Sequence, residues 1–251
     1  MVRVVSVHSF RGGTGKSNIT ANIAVLLAQR ALQVGVVDTD IQSPGIHVLF
    51  GLSGTGIDAS LNDHLFRARP IREIARDVTP AGVPGRVHLI PSSVRPGEIS
   101  RVLREGYDAQ RLVRGLRGLV DELGLDVLLI DTHPGLGEET LLSLVISDTS
   151  LMVLRPDRQD FEGTGVLVDV AANLDVPRSA LVVNKVPQSL AHDDLRRRVE
   201  QAYGSPVVGV LPHDDAMMAL ASGGIFALHH AEHPLTATLA TVAAYVTGGD
   251  G

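Results

Sequence analysis

The stretch HSFRGGTGKSN, from His8 to Asn18, decides the fold of this chain. It follows an apolar, β-rich segment, VRVVSVH (2–8), and it precedes KSNITANIAVLLAQRAL, in which apolar residues recur at helical spacing. A glycine-rich turn between a strand and a helix directs successive backbone N–H groups at phosphate oxygens, and the helix N-terminus adds its dipole. The stretch therefore predicts a phosphate-binding loop.

Each end of this loop carries a basic residue. Lys16 offers a point charge for the β- and γ-phosphates of a nucleotide, and the Ser17 hydroxyl suits Mg²⁺. Phe10 stands where an eight-residue phosphate loop ordinarily begins with glycine, and Arg11 follows it. A glycine-rich turn without a ligand is the alternative, which the preceding strand, the following helix and the GKS ending disfavour. The loop residues expected to contact nucleotide are Arg11, Gly12, Gly13, Thr14, Gly15, Lys16, Ser17 and Asn18.

Strand-like and helical segments alternate along the chain. The strand-like segments are apolar runs, as in VGVVDTD (34–40) and DVLLIDT (126–132), which is typical of parallel strands covered on both faces. We expect an α/β fold, a doubly wound, mostly parallel sheet flanked by helices, in a single domain over residues 1–251. The other predicted strands are 2–8, 86–92, 150–156, 179–185 and 205–212; the predicted helices are 108–123 and 234–247, with a short helix near 57–65 inside a less regular stretch, 41–85.

Composition disfavours several classes of protein. The 251 residues are 44% hydrophobic and carry a formal net charge of −6, so the molecule as a whole is not an evident nucleic-acid binder. The sequence has no cysteine, which removes disulfides, thiolate metal sites and iron–sulfur clusters. No apolar run approaches the roughly 20 residues of a membrane span, and the N-terminal segment is strand-like rather than a signal peptide. We expect a cytoplasmic protein.

Three aspartates lie at the ends of two of the predicted strands. Asp131 ends the apolar run VLLID, the usual place for an acid that holds Mg²⁺ through water; a cap on the next helix is the alternative. Asp38 and Asp40 flank Thr39, and strand alternation would put both carboxylates on one face. One of them would orient the attacking water while the other supports Mg²⁺ or the loop. Simple solvation of a loop is the alternative for this pair.

Two further residues are informative. Asn184 follows an apolar strand, and its amide offers a donor and an acceptor that match the N6 and N7 edge of adenine; the alternative is a turn asparagine. Of the 22 basic residues, Lys16 and Lys185 alone are lysine. In a chain whose other basic residues are all arginine, a retained lysine indicates a site that arginine cannot serve.

The segments RGGTGKS, VVDTD, VLLIDTHPG, LVVNK and VGVLPHD occur in the order and at roughly the spacing of one known family. Together they resemble the MinD/ParA family of deviant Walker A ATPases over essentially the whole chain. The most specific element is the family's xKGGxGK[ST] loop, which corresponds here to residues 10–17. The family signature lysine is Arg11 in this chain, and Asn18 stands where the family usually has a second hydroxyl.

The resemblance implies an ATP-bound homodimer whose two subunits face each other. Arg11 would then reach across to the partner's phosphates, Phe10 being tolerated because the loop opens toward another subunit. Lys16 and Ser17 would bind phosphate and Mg²⁺, with Asp40 as the hydrolytic acid and Asp131 as the Walker B acid. Asn184 and the backbone around Pro212 would contact adenine. An arginine keeps the charge of the signature lysine and grips phosphate oxygens bidentately, so we expect ATP-driven dimerisation and slow, partner-stimulated hydrolysis.

The surface on which such a protein works is not evident from the sequence. Members of the MinD type carry a basic C-terminal amphipathic helix for membranes, and this chain has no Lys or Arg after Arg198, so we expect no such anchor. Members of the ParA type bind DNA nonspecifically, for which support here is weak, and a solvated helix surface is the favoured alternative. The candidate arginines are Arg196, Arg197 and Arg198, with a second set of Arg101, Arg104, Arg111, Arg114 and Arg117 whose helix Gly106 would interrupt.

Histidines outside the loop leave other functions open. His229, His230 and His233 lie close in sequence and could bind a metal if they were helical, although the flanking glycines and Pro234 indicate a loop. His133, two residues after Asp131, would either sense the γ-phosphate or cap a turn with Pro134. The competing functions are a nickel- or iron–sulfur-handling maturation NTPase, which the absence of cysteine disfavours, and a regulatory module that holds ATP with negligible hydrolysis.

Overall fold

The computed structural model describes residues 2–53 and 56–248, which form alternating strands and helices as the sequence predicts. The strands are β1 Arg3–His8, β2 Gln33–Asp38, β3 Arg76–Asp77, β4 Arg86–Ile90, β5 Val127–Asp131, β6 Thr149–Leu154, β7 Arg178–Val186 and β8 Val207–Pro212. The helices are α1 Lys16–Ala28, α2 Ile46–Leu49, α3 Leu61–Arg67, α4 Pro96–Glu105, α5 Ala109–Leu123, α6 Glu138–Val145, α7 Arg158–Asn173, α8 His192–Tyr203, α9 Asp215–Leu220, α10 Phe226–His229 and α11 Pro234–Val246.

The described strands form one eight-stranded sheet in the order β3-β4-β2-β5-β1-β6-β7-β8. All neighbouring pairs are parallel except β3 with β4. Strand β1, which leads into the glycine-rich loop, lies between β5 and β6, and β2 pairs with β5 in register, so that Asp38 stands beside Asp131. The expected doubly wound, mostly parallel sheet is confirmed.

Helices cover both faces of the sheet. Val127 and Leu129 of β5 pack in a core that includes α1 and α11, whereas Leu128 and Ile130 pack in a second core that includes α5. A third core lies on α7 and α8 and takes Met152 of β6. The alternate residues of a strand point to opposite faces, and burial on both faces explains why these strands read as continuous apolar runs.

Some local expectations were shifted or wrong. The short helix expected near 57–65 is α3, Leu61–Arg67, which begins at a capping box between Ser60 and Asp63. Strand β2 ends at Asp38 rather than at residue 40. The two-residue strand β3 was missed because it carries no apolar pattern. Gly106, with φ 64°, ends α4 and separates it from α5, so the arginines on either side do not share one helix.

Candidate nucleotide-binding site

The glycine-rich loop joins β1 to α1 at the carboxyl edge of the sheet. Gly13 and Gly15 have φ values of 77° and 92°, a region of backbone conformation that favours glycine. Gly15 also has a steric reason, because a Cβ there would lie 2.4 Å from the Nδ2 atom of Asn184. Helix α1 begins at Lys16, so its N-terminal amides and dipole face the loop, as phosphate binding requires.

A cavity of about 640 Å³ opens over this loop. Residues that follow two other strands help to complete its wall, namely Asp40 after β2 and His133 after β5. The predicted loop residues that line it are Gly12, Gly13, Thr14, Gly15, Lys16, Ser17 and Asn18. The structure thus brings together the phosphate loop and the residues that follow neighbouring strands.

A second cavity, of about 270 Å³, adjoins the first and shares Gly15, Asn18 and Ser222 with it. Its wall includes Asn184 from β7 and Pro212 from β8, the two residues expected near a base. Apolar side chains supply much of the remaining lining, namely Ile19, Leu211, Met217, Met218, Leu235 and Leu239. A mostly apolar slot beside a phosphate cradle is the shape that a nucleoside requires.

Lys16 forms a buried ion pair. Its Nζ atom lies 2.7 Å from Oδ1 of Asp131, and the two side chains are 5% and 1% exposed. The hydroxyl of Thr20, one turn along α1, lies 3.3 Å from the same carboxylate oxygen. Thr20 was not singled out from the sequence, since a threonine inside a helix carries no signal of its own. The pair places the loop cation and the predicted Walker B acid in direct contact.

Asp38 is fully buried beside this pair. Its Oδ1 accepts a hydrogen bond from the backbone N–H of Asp40, while its Oδ2 has no hydrogen-bond partner in the described part of the chain. Burial, and then the charge of Asp131, raises the pKa of the Asp38 carboxyl well above its usual range, with Lys16 acting in the opposite sense. Neither Asp38 nor Asp131 lines the phosphate cavity as the described residues form it.

The oxygens at this edge suit Mg²⁺. The hydroxyl of Ser17 on the cavity wall and the carboxylate of Asp131, which is paired with Lys16, are hard donors of the kind that this ion prefers. The unpartnered, buried Oδ2 of Asp38 is a polar atom whose needs the described part of the protein does not meet. The donor set therefore fits the cation that accompanies a nucleoside triphosphate.

Asp40 and His133 form a second polar contact on the cavity wall. Nδ1 of His133 lies 2.7 Å from Oδ1 of Asp40, and the backbone N–H of Ser43 donates to the same oxygen over 3.0 Å. The expectation that Asp38 and Asp40 share one strand face was wrong. Because β2 ends at Asp38 and the chain then turns, Asp40 reaches the cavity from a loop while Asp38 stays in the core.

The first two residues of the phosphate loop face away from the cavity. The ring of Phe10 packs on α7 at Gly163, where an added Cβ would lie 1.9 Å from the ring. Arg11 is 42% exposed and sits 3.8 Å from Asp157 and 4.0 Å from Asp160. Both line a surface hollow beside α7 rather than the phosphate cavity. Phe10 therefore has a packing role within its own subunit, and the partner-facing explanation for it stays a prediction.

The end of β7 contacts the phosphate loop directly. Asn184 donates from Nδ2 to the carbonyl of Thr14 over 2.7 Å, and its Oδ1 accepts from the backbone N–H of Lys185. Lys185 donates from Nζ to the carbonyl of Gly13 over 2.8 Å. The side-chain amide expected to recognise adenine is thus engaged with the protein. The sequence marked Lys185 only by the rarity of lysine, and gave it no role.

The histidine segment does not gather metal ligands. His230 stacks on Phe226 with a centroid separation of 4.5 Å, and His233 caps α11 by accepting from the N–H of Leu235. Part of the expected loop is helical, since α10 ends at His229. Among the described residues there is no group of three or more His, Cys, Asp or Glu side chains that could hold a metal ion.

Four of the candidate DNA-binding arginines are engaged with the protein. Arg196 donates to the carbonyl of Val207, and Arg197 pairs with Asp194. In the second set, Arg101 pairs with Glu105 and lies over the ring of Phe66, while Arg114 pairs with Asp108. Gly106 divides the second set between α4 and α5, so its five arginines do not lie on one helix. None of the described helices has the length and apolarity needed to cross a membrane.

Comparisons with known proteins agree with this geometry. Residues 1–246 match the family model described as ParA, NUBPL iron-transfer P-loop NTPase. An uncharacterised ATP-binding protein of Methanocaldococcus jannaschii is 26% identical over 249 residues, which cover 99% of this chain and 89% of that protein. The iron–sulfur cluster carrier protein of Pyrococcus furiosus is 28% identical over 184 residues, which cover 72% of this chain and 60% of the carrier.

The fold also has a close solved counterpart. The septum site-determining protein MinD of Pyrococcus horikoshii, solved with Mg-ADP, superposes with a TM-score of 0.83 at 19% sequence identity, covering 98% of this chain and 96% of that one. At this identity the likeness shows the fold alone. The family match spans nearly the whole sequence and includes the phosphate loop and the strand ends around it. This chain therefore belongs to the ParA family of P-loop NTPases, which includes the NUBPL iron-transfer proteins.

Proposed function

We propose that this protein is an ATP-driven molecular switch that dimerises when it binds Mg·ATP, separates after hydrolysis, and so positions or partitions a cellular cargo. Hydrolysis is slow until a partner protein stimulates it. The protein acts in the cytoplasm, a reducing compartment that accords with a sequence without cysteine. Binding of a nucleotide is the property that its family shares, while the dimeric cycle and the cargo are the proposal.

The observation that carries this proposal is the contrast between the two cations of the phosphate loop. Lys16 is buried and paired inside its own subunit, whereas Arg11 is 42% exposed and its acidic neighbours lie 3.8 and 4.0 Å away. Arg155 is the nearer partner of both acids, at 3.1 Å from Asp157 and 3.0 Å from Asp160, so the long contacts of Arg11 contribute little to stability. Arg11 is therefore free to leave them at small cost and to bind the phosphates of a second subunit through its planar fork of donors.

Each residue of the site has a role in this cycle. The amides of the loop and Lys16 bind the phosphates, and Ser17 and Asp131 hold Mg²⁺, which neutralises phosphate charge when bound, with Asp131 acting through water. Asp40 orients the attacking water, and His133 fixes its carboxylate from the side through Nδ1. Asp38 supports the cation site from the core, while Asn184 and the backbone at Pro212 line the place of the base.

Solution mass tests the switch. An Asp40→Ala variant, whose hydrolysis is blocked, is measured by light scattering with Mg·ATP and with Mg·ADP. The mass is expected to double with ATP and to stay monomeric with ADP. Adding Arg11→Ala to this variant is expected to keep the mass monomeric in both nucleotides. A mass that never changes, or that doubles without Arg11, would contradict the proposal.

A second function is favoured by the relatives of this chain. Its family includes iron-transfer proteins, and archaeal iron–sulfur cluster carriers are 28–29% identical to it over 184 residues. This chain spans 60% of the length of those carriers. Its 251 residues include no cysteine, however, and thiolates are the usual ligands of such clusters. A role in cluster handling would thus require ligands from a partner protein.

Cluster binding is separable from the switch by experiment. The purified protein is incubated anaerobically with ferrous iron and sulfide, desalted, and assayed for bound iron and for visible absorption, with and without Mg·ATP. The proposed switch predicts no bound cluster under either condition, because these residues supply no thiolate. Stoichiometric iron retained together with sulfide would favour the carrier function.

A further inference from the structure

We propose that the two residues at the end of β7, Asn184 and Lys185, orient the phosphate loop for its ligand, and that Lys185 is a positioning residue for the β-phosphate. The inference rests on the binding of nucleotide and not on dimerisation. It concerns a contact between a strand end and the loop that precedes α1. Asn184 thereby acquires a role in the loop besides the one expected at the base.

The two side chains hold consecutive carbonyl groups of the loop. Lys185 donates to the oxygen of Gly13 over 2.8 Å, and Asn184 donates to the oxygen of Thr14 over 2.7 Å. A further hydrogen bond, from the backbone N–H of Lys185 to Oδ1 of Asn184, fixes the amide so that Nδ2 faces the loop. Together these contacts form a clamp, consisting of Asn184 and Lys185, on the outer side of the loop.

Peptide geometry converts this clamp into an orientation of donors. In a trans peptide unit the carbonyl and the N–H group point in opposite directions, and no cis peptide occurs among the described residues. Holding the oxygens of Gly13 and Thr14 on the β7 side therefore turns the N–H groups of Thr14 and Gly15 to the other side. Both residues line the phosphate cavity, where inward-pointing amides are the donors that bind phosphate oxygens.

The backbone of Lys185 supports a functional reason for this contact. Its φ is 57°, a left-handed conformation that costs a residue other than glycine, asparagine or aspartate about 1 kcal/mol or more. Neither glycine nor asparagine stands there, although either would relieve the cost. Lysine combines a compact ammonium head with a long apolar stem, and Lys185 also lines the base cavity. The strained position therefore keeps a lysine, whose side chain lines the base cavity and holds the loop of the phosphate cavity.

The close approach of Asn184 also explains one glycine of the motif. An added Cβ at residue 15 would lie 2.4 Å from Nδ2 of Asn184. The clamp therefore works only on a loop that has glycine at this position. Gly15 and Asn184 are separated by most of the chain, and the glycine is a condition for the close approach of the amide.

The test compares two ligands that differ by one phosphate. The affinities of ADP and AMP are measured by titration calorimetry for the unaltered protein and for Lys185→Met, which keeps the apolar stem and removes the ammonium. Loss of a charge-assisted hydrogen bond is expected to lower ADP affinity by about tenfold or more. AMP affinity is expected to change by less than about twofold, because AMP does not occupy the β-phosphate position. Neither ligand drives dimerisation, so the result is independent of the proposed switch.

Two further variants guard the interpretation. Lys185→Gly relieves the left-handed strain and removes the contact, so it folds at least as stably and still loses ADP affinity relative to AMP. Arg198→Met removes one positive charge from the exposed surface of α8, outside both cavities, and is expected to leave both affinities unchanged. Hydrogen exchange of the Thr14 and Gly15 amides without nucleotide is expected to accelerate in Lys185→Met.

The inference is overturned if Lys185→Met and Lys185→Gly keep the ratio of ADP to AMP affinity of the unaltered protein. It is also overturned if the ratio falls equally in Arg198→Met, since total charge would then explain the effect. If ADP affinity falls only in the Lys185 variants while the protein stays monomeric with ATP, the clamp is supported and the proposed ATP-driven switch is contradicted. The two proposals therefore fail separately.

Discussion

The two ends of the phosphate loop are built in opposite ways. At its C-terminal end Lys16 is 5% exposed and lies 2.7 Å from a buried carboxylate, so its charge is committed to its own subunit. At its N-terminal end Arg11 is 42% exposed and its acidic neighbours lie at 3.8 and 4.0 Å. Two cations of one short loop thus differ in burial and in partner. The loop therefore has one cation, Lys16, for the fold and the bound phosphate, and another, Arg11, that is available for a second molecule.

The largest expected effect follows removal of the buried cation. Lys16→Met leaves the carboxylate of Asp131 buried and unpaired, beside Asp38, and is expected to lower the free energy of unfolding by about 3–5 kcal/mol without nucleotide. Equilibrium unfolding in urea measures this loss. Arg11→Met is the matched control at the other end of the loop. Equal losses in the two variants would remove the contrast between the two cations.

A second prediction concerns the packing that holds the N-terminal end of the loop. Gly163→Ala places a Cβ 1.9 Å from the ring of Phe10, and overpacking of this kind is expected to cost about 1–3 kcal/mol of stability. Gly165→Ala, on the same helix, meets only Tyr203 at 3.6 Å. It is expected to stabilise the protein by about 0.5–1 kcal/mol, because a helix interior is more stable with alanine than with glycine.

The double variant Phe10→Ala/Gly163→Ala sharpens this prediction. Without the ring, the same alanine substitution at residue 163 is expected to become neutral or stabilising, by up to about 1 kcal/mol relative to Phe10→Ala. Thermal or urea unfolding of the four proteins completes the cycle. A cost at residue 163 that persists without Phe10 would show that the ring is not what this glycine accommodates.

A third prediction uses pH to test whether burial near Lys16 keeps His8 uncharged in the folded protein. Burial, together with the nearby charge of Lys16, lowers the pKa of His8 from 6.5 to about 3. Below pH 6.5 the unfolded chain therefore binds a proton at His8, whereas the folded protein does not. The contribution of His8 to the free energy of unfolding is fully present above that pH and is lost as the pH falls. At pH 5.5 the loss relative to high pH is about 1 kcal/mol.

His8→Asn is expected to remove this loss. The amide nitrogen of asparagine can replace the Nδ1 contact of His8 with the hydroxyl of Thr132, which spans 3.0 Å. The measured quantity is the difference in unfolding free energy between pH 7.5 and pH 5.5 for the variant and the unaltered protein. His192→Asn, at the start of α8, serves as the control and is expected to keep the full pH dependence. An unchanged pH dependence in His8→Asn would mean that folding does not lower the pKa of His8.

The smallest expected effect on stability is that of Arg11. Arg11→Ala is expected to change the free energy of unfolding by less than about 0.5 kcal/mol, because its contacts are long and Arg155 remains the nearer partner of both Asp157 and Asp160. ADP affinity is expected to stay within about twofold, since the side chain lies outside the phosphate cavity of its own subunit. A loss of ADP affinity as large as that of a Lys16 variant would place Arg11 on its own nucleotide.

The sequence was sufficient to predict the sheet, the phosphate loop and the strand ends that surround it. These features are encoded locally in the sequence. The loop motif lies between a strand and a helix, and the buried strands are continuous apolar runs. The sequence was not sufficient to separate Asp38 from Asp40, because strand alternation does not reveal that β2 ends at Asp38, where the carboxylate accepts a hydrogen bond from the backbone N–H of Asp40. Nor could it give the roles of Phe10 and Lys185, which depend on contacts with α7 and with the loop, formed across long stretches of chain.

The measurement that tests the central claim most directly is ATP hydrolysis in a mixture of two inactive variants. Arg11→Ala lacks the exposed cation and keeps Asp40, whereas Asp40→Ala keeps the cation and lacks the acid. If Arg11 acts on the partner's nucleotide, a mixed dimer contains one complete site, and the mixture is expected to hydrolyse ATP well above the sum of the separate proteins. Activity no greater than that sum, at concentrations where the unaltered protein dimerises, would contradict the account and assign Arg11 to its own subunit.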